Sequence, residues 1–163
     1  MINEKFLLED KQCVIHGSSD AEYILIQPVN EHEMAQLEKE ASMIGDRVTE
    51  PVVLAAFLVR DWNRELSPWE APPVFGTEGF GTGAAGTLRF VQESFVPFVV
   101  KHYAAASDMP VVLGGYSLQD CFHCGVRIRR ICLRRLRQCL RRYGFQSGMN
   151  MQGSMPYRQN GFI

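Results

Sequence analysis

Gly115-Tyr116-Ser117 is the part of this 163-residue sequence whose residue types and placing point most directly to chemistry. It follows Gly114 and the apolar run Pro110-Val111-Val112-Leu113, which has the length of a short strand. The order matches the first half of the pattern Gly-x-Ser-x-Gly, in which a sharp strand-to-helix turn holds a serine hydroxyl exposed above the end of a sheet. The glycines have a steric task, because a side chain on Gly114 or Gly115 would press on neighbouring elements in so tight a turn. Ser117 is therefore the candidate nucleophile, attacking a carbonyl carbon and carrying the acyl group in a covalent intermediate. The amide of Leu118, the next residue, is one candidate donor to the oxyanion, backed by the N–H groups of a helix start. A glycine-rich turn with an incidental serine is the plain alternative.

Stepping along the chain gives the elements that must position this turn. Ala21 to Gln27 is a short β-rich run closed by Pro28 and reads as a strand. A helix follows: Asn30 can cap it, Glu33 answers three residues on, and Met34, Leu37, Ala41 and Ile44 form an apolar stripe that stops at Gly45. Val52 to Val59 is a near-continuous apolar run, as expected for a central parallel strand covered on both faces. From Arg60 to Gly86 there is no periodicity and much Pro and Gly, so this is a long loop of the kind that usually serves function. Helical spacing resumes from Thr87 to Tyr103, with a kink expected at Pro97, and leads into the strand at 110–113. Strand, helix, strand, loop, helix, strand is an α/β order, and the expected fold is a doubly wound, mostly parallel, three-layer sheet.

Charge divides the sequence in two. All 18 acidic residues lie between Glu4 and Asp120, whereas nine of the 17 basic residues, every one an arginine, come after position 120. Cys121, Cys124, Cys132 and Cys139 also fall there, leaving Cys13 alone before them. The expected division is a folded part, 1–118, and an Arg- and Cys-rich tail, 119–163. The N-terminus has no apolar run of signal-peptide length and no stretch approaches a membrane span, so a cytoplasmic protein is expected; the lone Cys13 suits a reducing compartment.

Val112-Leu113-Gly114-Gly115-Tyr116-Ser117-Leu118 resembles the nucleophile elbow of the α/β-hydrolase esterases related to the esterase D and enterochelin-esterase groups. Asp61-Trp62-Asn63-Arg64-Glu65-Leu66-Ser67-Pro68-Trp69, after the central strand, is similar to the oxyanion-side loop of that family. Val96-Pro97-Phe98 to His102-Tyr103 is similar to the helix that precedes its nucleophile strand. The likeness runs from about residue 10 to residue 118. It implies the N-terminal half of an α/β-hydrolase and hydrolysis of a small-molecule carboxylic ester, with no cofactor. It also implies a second oxyanion amide from the Asp61–Asn63 stretch, Trp62 or Asn63, and Trp69 with Tyr116 at the mouth of the site.

The likeness breaks off after Leu118. The family needs a small residue where Gln119 stands and an apolar helix beyond it, and this sequence has Gln119-Asp120-Cys121-Phe122-His123-Cys124-Gly125 instead. Triad order in that fold is serine, acid, histidine. Asp120 and His123 are the acid and the histidine that follow Ser117, and both would run down the elbow helix away from it, whereas triad partners reach in from later loops. His16, His32 and His102 precede the serine and are expected to be structural or surface residues. Leu118 to Gly125 can be encoded CTG CAG GAC TGT TTT CAT TGT GG. Read from the third base, those codons give Ala-Gly-Leu-Phe-Ser-Leu-Trp, small residues followed by apolar ones, as an esterase elbow helix requires. A frameshift at about residue 118 is therefore expected, with a catalytically incomplete chain and a disordered, out-of-frame tail.

Other readings of the tail are possible. Cys121 and Cys124 have zinc-ligand spacing and His123 lies between them, but Cys132 and Cys139 do not repeat it, so no metal site is expected. Residues 125–143 could form a basic amphipathic helix for nucleic acid, an anionic membrane or a partner protein, which is the alternative function; otherwise neither specific nucleic acid nor membrane is expected as a partner. A nucleophile strand left without its later neighbours would expose a sheet edge and invite self-association.

Overall fold

The computed structural model describes residues 1–74, 76–104 and 109–115. Its sheet has five strands in the order β1-β2-β4-β3-β5. The first two, β1 (Ile2–Leu8) and β2 (Lys11–Gly17), form a hairpin in which Leu8 pairs with Lys11 across a tight turn. Glu9 in that turn takes φ 54°, a left-handed conformation uncommon outside glycine. The other strands are β3 (Tyr23–Val29), β4 (Val52–Leu58) and β5 (Val111–Leu113). β4 pairs antiparallel with β2 and parallel with β3, and β3 pairs parallel with β5.

Every residue of β4 is buried, as its unbroken apolar sequence demands of a strand at the middle of a sheet. Successive side chains go to opposite faces. Val53, Ala55, Phe57 and Val59 join Cys13, Ile15, Ile24 and Ile26 on one face, and Leu54 and Ala56 join Val14 and Val29 on the other. α1 (Glu31–Gly45) covers the second face through Leu37, with Met34, Ala41 and Ile44 beside it. It starts at a complete capping box: Asn30 Oδ1 accepts from the Glu33 amide and Glu33 Oε2 accepts from the Asn30 amide, both at 2.9 Å.

A helical rod covers the first face. It is α3 (Ala84–Arg89), a π-helical stretch Phe90–Phe95, and α4 (Val96–Tyr103). Pro97 has no N–H and crowds the carbonyl four residues back, and the wider winding immediately before it, where the Val96 amide donates to Val91, absorbs that misfit. Phe90 and Phe95 both meet Phe57 edge-on, with ring centroids 5.4 and 5.3 Å apart. Burying Phe57 in this way contributes on the order of 3 kcal/mol. α4 also reaches the hairpin: Phe98 packs on Phe6 at 4.7 Å, and the Tyr103 hydroxyl donates to Glu4 Oε2 at 2.6 Å.

The sheet is thus α/β with helices on both faces, but mixed rather than mostly parallel. The sequence reading starts its first strand at Ala21 and leaves out β1 and β2, whose two antiparallel pairings balance the two parallel ones. Pro28 lies within β3, in register with Phe57 and beyond the residues that pair with β5, rather than closing the strand. The region read as a loop from 60 to 86 contains α2 (Trp62–Glu65) and the first turn of α3. Among the described residues β5 stands at the sheet edge, paired with β3.

Candidate active site

Because β3 runs parallel to both β4 and β5, the chain leaves β4 and β5 at one common edge of the sheet. Val59, at the exit of β4, donates to the Val29 carbonyl at 2.8 Å, and Gly114, at the exit of β5, donates to the Ile26 carbonyl at 2.7 Å. The two exits are separated by one strand, hence by about 10 Å across the sheet. Crevices beyond the carboxyl ends of parallel strands are where open α/β sheets hold their ligands. Arg60 and Gly114, the first residues beyond these two exits, therefore lie at the same end of the sheet.

Gly114 meets the steric expectation: a Cβ there would lie 3.0 Å from Leu25 Cδ1. Tyr116, Ser117 and Leu118 lie outside the described residues, as do Asp120, His123, the four tail cysteines and residues 125–143.

The loop after β4 is closely tied. Asp61 caps α2, its Oδ1 accepting from the Arg64 amide at 3.0 Å. Glu65 Oε1 accepts from the amides of Arg60 and Asp61 at 2.9 and 3.0 Å, and Glu65 Oε2 binds Lys11 Nζ at 2.5 Å. Burial alone would raise the Glu65 carboxyl, but the Lys11 hydrogen bond, the Asp61 amide, the Lys11 charge and the Arg60 amide outweigh it and hold the group below its ordinary range. Asp61 itself is thus engaged twice, its side chain as the cap of α2 and its amide with Glu65. The Asn63 carbonyl accepts from Gly81, and its Nδ2 donates to the Glu78 carbonyl at 3.4 Å.

Downstream, Ser67 is buried and donates to the Trp69 carbonyl at 2.8 Å, while Trp69 as a residue stands 53% exposed. Gly83 passes so close to α2 that a Cβ would lie 2.6 Å from the Arg64 carbonyl oxygen. Thr87 Oγ1 donates to the Glu65 carbonyl at 2.8 Å. A shallow open depression of about 320 Å³ lies along this loop, lined by Arg64, Glu65, Glu70, Gly81, Thr82 and Gly83. In the sequence Glu65 stands within the loop motif with no role of its own, Thr87 marks only the start of helical spacing, and Lys11 carries no signal. The signal for Glu65 was local, an Asp followed four residues later by a Glu at a helix start; Lys11 is 54 residues away and leaves no such trace.

The three early histidines sit where structural residues sit. His16 is 6% exposed, in register with Leu54 toward the opposite edge of the sheet, and burial lowers its pKa despite the pull of Glu38. His32 bonds Gln36 on the exposed side of α1, and His102 Nδ1 lies 2.8 Å from the Phe98 carbonyl, its ring stacked on Phe98.

No protein-family model matches the chain, and no curated protein does. Among solved structures it is similar to an IroE-like serine hydrolase from Shewanella oneidensis, with a TM-score of 0.54 and 18% identity over 72% of this chain and 43% of that one. The fold is like that of this serine hydrolase. A more distant likeness is to the siderophore hydrolase EstA from Aspergillus nidulans, with a TM-score of 0.49 and 16% identity over 74% of this chain and 50% of that one. The chain therefore spans less than half the length of the Shewanella protein. At such identity the likeness is one of fold, and it agrees with the fold to which the elbow and loop motifs point. Among the described residues no helix is long and apolar enough to cross a membrane, and no cluster of three His, Cys, Asp or Glu side chains could hold a metal ion.

Proposed function

We propose that this chain carries the nucleophile half of a doubly wound α/β-hydrolase, a serine esterase acting on carboxylic esters. Ser117 is the nucleophile, and the amide of Leu118 with that of Trp62 or Asn63 forms the oxyanion hole. Trp69 and Tyr116 border the mouth. The observation that carries this reading is topological: the Gly-Gly-Tyr-Ser motif follows directly on β5, at the same sheet edge where the Asp61 loop leaves β4. A tetrahedral intermediate formed on a serine at that turn would need donors from both exits. The esterase-like fold supports the same assignment.

The 163 residues do not supply a triad. Asp120 and His123 are bound by sequence to the stretch that follows the serine, and the earlier histidines are taken up elsewhere. The alternate frame of Leu118 to Gly125, Ala-Gly-Leu-Phe-Ser-Leu-Trp, supports a frame break at about residue 118, with the arginine-rich tail its out-of-frame product. The reading makes the protein cytoplasmic and the chain as written inactive, with β5 a site of self-association. Sequencing the coding DNA around codon 118 tests it. The expected result is an open alternate frame that continues into hydrolase-like sequence with an acid and a histidine in triad order; a closed alternate frame, or one without them, overturns the frame break.

A further inference from the structure

Glu65, the last residue of α2, is bonded to three separate parts of the fold. One carboxylate oxygen holds the loop and the other is held by β2: Oε1 accepts from the Arg60 and Asp61 amides at 2.9 and 3.0 Å, and Oε2 takes the Lys11 ammonium at 2.5 Å. The Glu65 carbonyl accepts from Thr87 on α3 at 2.8 Å. Lys11 is itself fixed, its side chain only 16% exposed and its nitrogen 5.8 Å from the centre of the Phe90 ring.

This is more than a helix cap. In a capping box the acid stands at the third helical position and reaches back to the cap residue. Glu65 stands at the fourth, and it bonds both the amide of the cap residue Asp61 and that of Arg60, which lies outside the helix. The bond to Arg60 does nothing for α2. It fixes the direction in which the chain leaves β4, and the tie to Lys11 fixes that direction relative to the sheet.

We propose that Glu65 is a positioning residue for the reaction and Lys11 its anchor: together they set the path of residues 60–63 at the sheet edge and so the place of the second oxyanion amide, that of Trp62 or Asn63. The role in the reaction rests on the hydrolase reading. The clamp itself is a property of the chain and can be tested without catalysis. It requires a charged carboxylate. Lys11 is the charged group that faces it from β2, and Asp61, Arg64 and Glu70 flank it on its own loop. Since Glu65 titrates below the ordinary carboxylate range, the clamp is closed at neutral pH and opens as pH falls through the Glu65 pKa.

Hydrogen exchange resolved to single amides, on the 163-residue chain at low micromolar concentration, tests the clamp. Glu65→Ala should raise the exchange of the Arg60 and Asp61 amides about tenfold or more, a loss in keeping with hydrogen bonds to a charged acceptor, while the β4 amides keep their protection. Glu65→Gln alone turns an NH₂ toward Lys11 and should be impaired. Lys11→Met combined with Glu65→Gln removes that clash, leaves an acceptor oxygen for both amides, and should restore protection to within about threefold of the parent. In the parent, protection of these two amides should fall with acid, and in the double variant it should not. Unchanged Arg60 and Asp61 amides in Glu65→Ala, or no recovery in the double variant, overturns the proposal. Should Glu65→Ala unfold the chain, the acid profile of the parent decides, and a profile without loss at these amides overturns it. An intact clamp in a frame-restored protein that hydrolyses no ester would refute the hydrolase reading; a full-rate enzyme with the clamp removed would refute only the positioning role.

Discussion

The Gly114 amide donates to the Ile26 carbonyl at 2.7 Å, the last rung that holds the exit of β5 to β3. This rung fixes where the chain leaves β5. A side chain at Gly114 would be driven toward Leu25 Cδ1, only 3.0 Å from an added Cβ. Gly114→Ala should cost about 1 kcal/mol as Leu25 gives way, and Gly114→Val roughly 2–3 kcal/mol, since its branched side chain needs space the sheet does not have. Urea unfolding curves measure both. Equal stability of all three proteins would mean that β5 is not held against β3 as described.

His16 predicts an acid weakness. Its folded-state pKa is lowered by burial, with Glu38 opposing and Lys5 reinforcing the shift, so the unfolded chain takes up a proton more readily than the folded one. Stability is then fully present above the ordinary histidine pKa and is lost as pH falls from about 6.5 toward the lower folded value. Thermal melts at pH 7.5 and 5.5 should show a drop in Tm that is smaller in His16→Gln. A pH response identical in parent and variant would contradict the buried, neutral state of His16.

Tyr103 and Glu4 predict the opposite sign at the alkaline end. Burial first, then the hydrogen bond and charge of Glu4, push the phenol from 10.0 to about 12. The tie is complete below pH 10 and is lost as pH rises through about 12. Because the pair is exposed, Tyr103→Phe should cost only about 0.5–1 kcal/mol at pH 7. Ultraviolet titration of tyrosinate in parent and variant isolates this phenol; a midpoint near 10 for Tyr103 would refute the contact.

Cys13 is 1% exposed, and burial pushes its thiol from 9.0 to about 12. Reaction needs thiolate and access, and Cys13 has neither in the folded state. Peptide mapping after brief iodoacetamide treatment at pH 8 should find Cys13 unmodified without denaturant and fully modified in 6 M urea. Rapid native labelling would show that β2 is not seated in the sheet.

The elements that were legible in the sequence are those whose signals are local. Asn30 and Glu33 announce α1 three residues apart, and the unbroken apolar run of β4 is what a strand covered on both faces must look like. The β1–β2 hairpin escaped because its turn carries Glu9 in a left-handed conformation rather than the Asn-Gly or Asp-Gly that marks such turns. Its β1 strand also mixes apolar residues with Glu and Lys, as one that keeps much of its surface in water can. In the loop after β4, the glycines read as punctuation, yet Gly83 is there for close packing against Arg64. The Lys11–Glu65 tie joins residues 54 apart, and nothing in either neighbourhood announces the other. The elbow motif rests on a local order of small residues and serine after an apolar run, of which the described residues include Gly114 and Gly115.

The most direct measurement of the central claim is the reactivity of Ser117. The 163-residue chain, a frame-restored protein carrying the downstream sequence, and that protein with Ser117→Ala are compared for p-nitrophenyl ester hydrolysis and for fluorophosphonate labelling. Loss of a triad member typically lowers turnover on the order of a million-fold. The restored protein should hydrolyse and label, and both the Ser117→Ala variant and the present chain should fall to background. Rapid Ser117-dependent labelling of the present chain, or a folded restored protein inert toward every simple ester, would contradict the account.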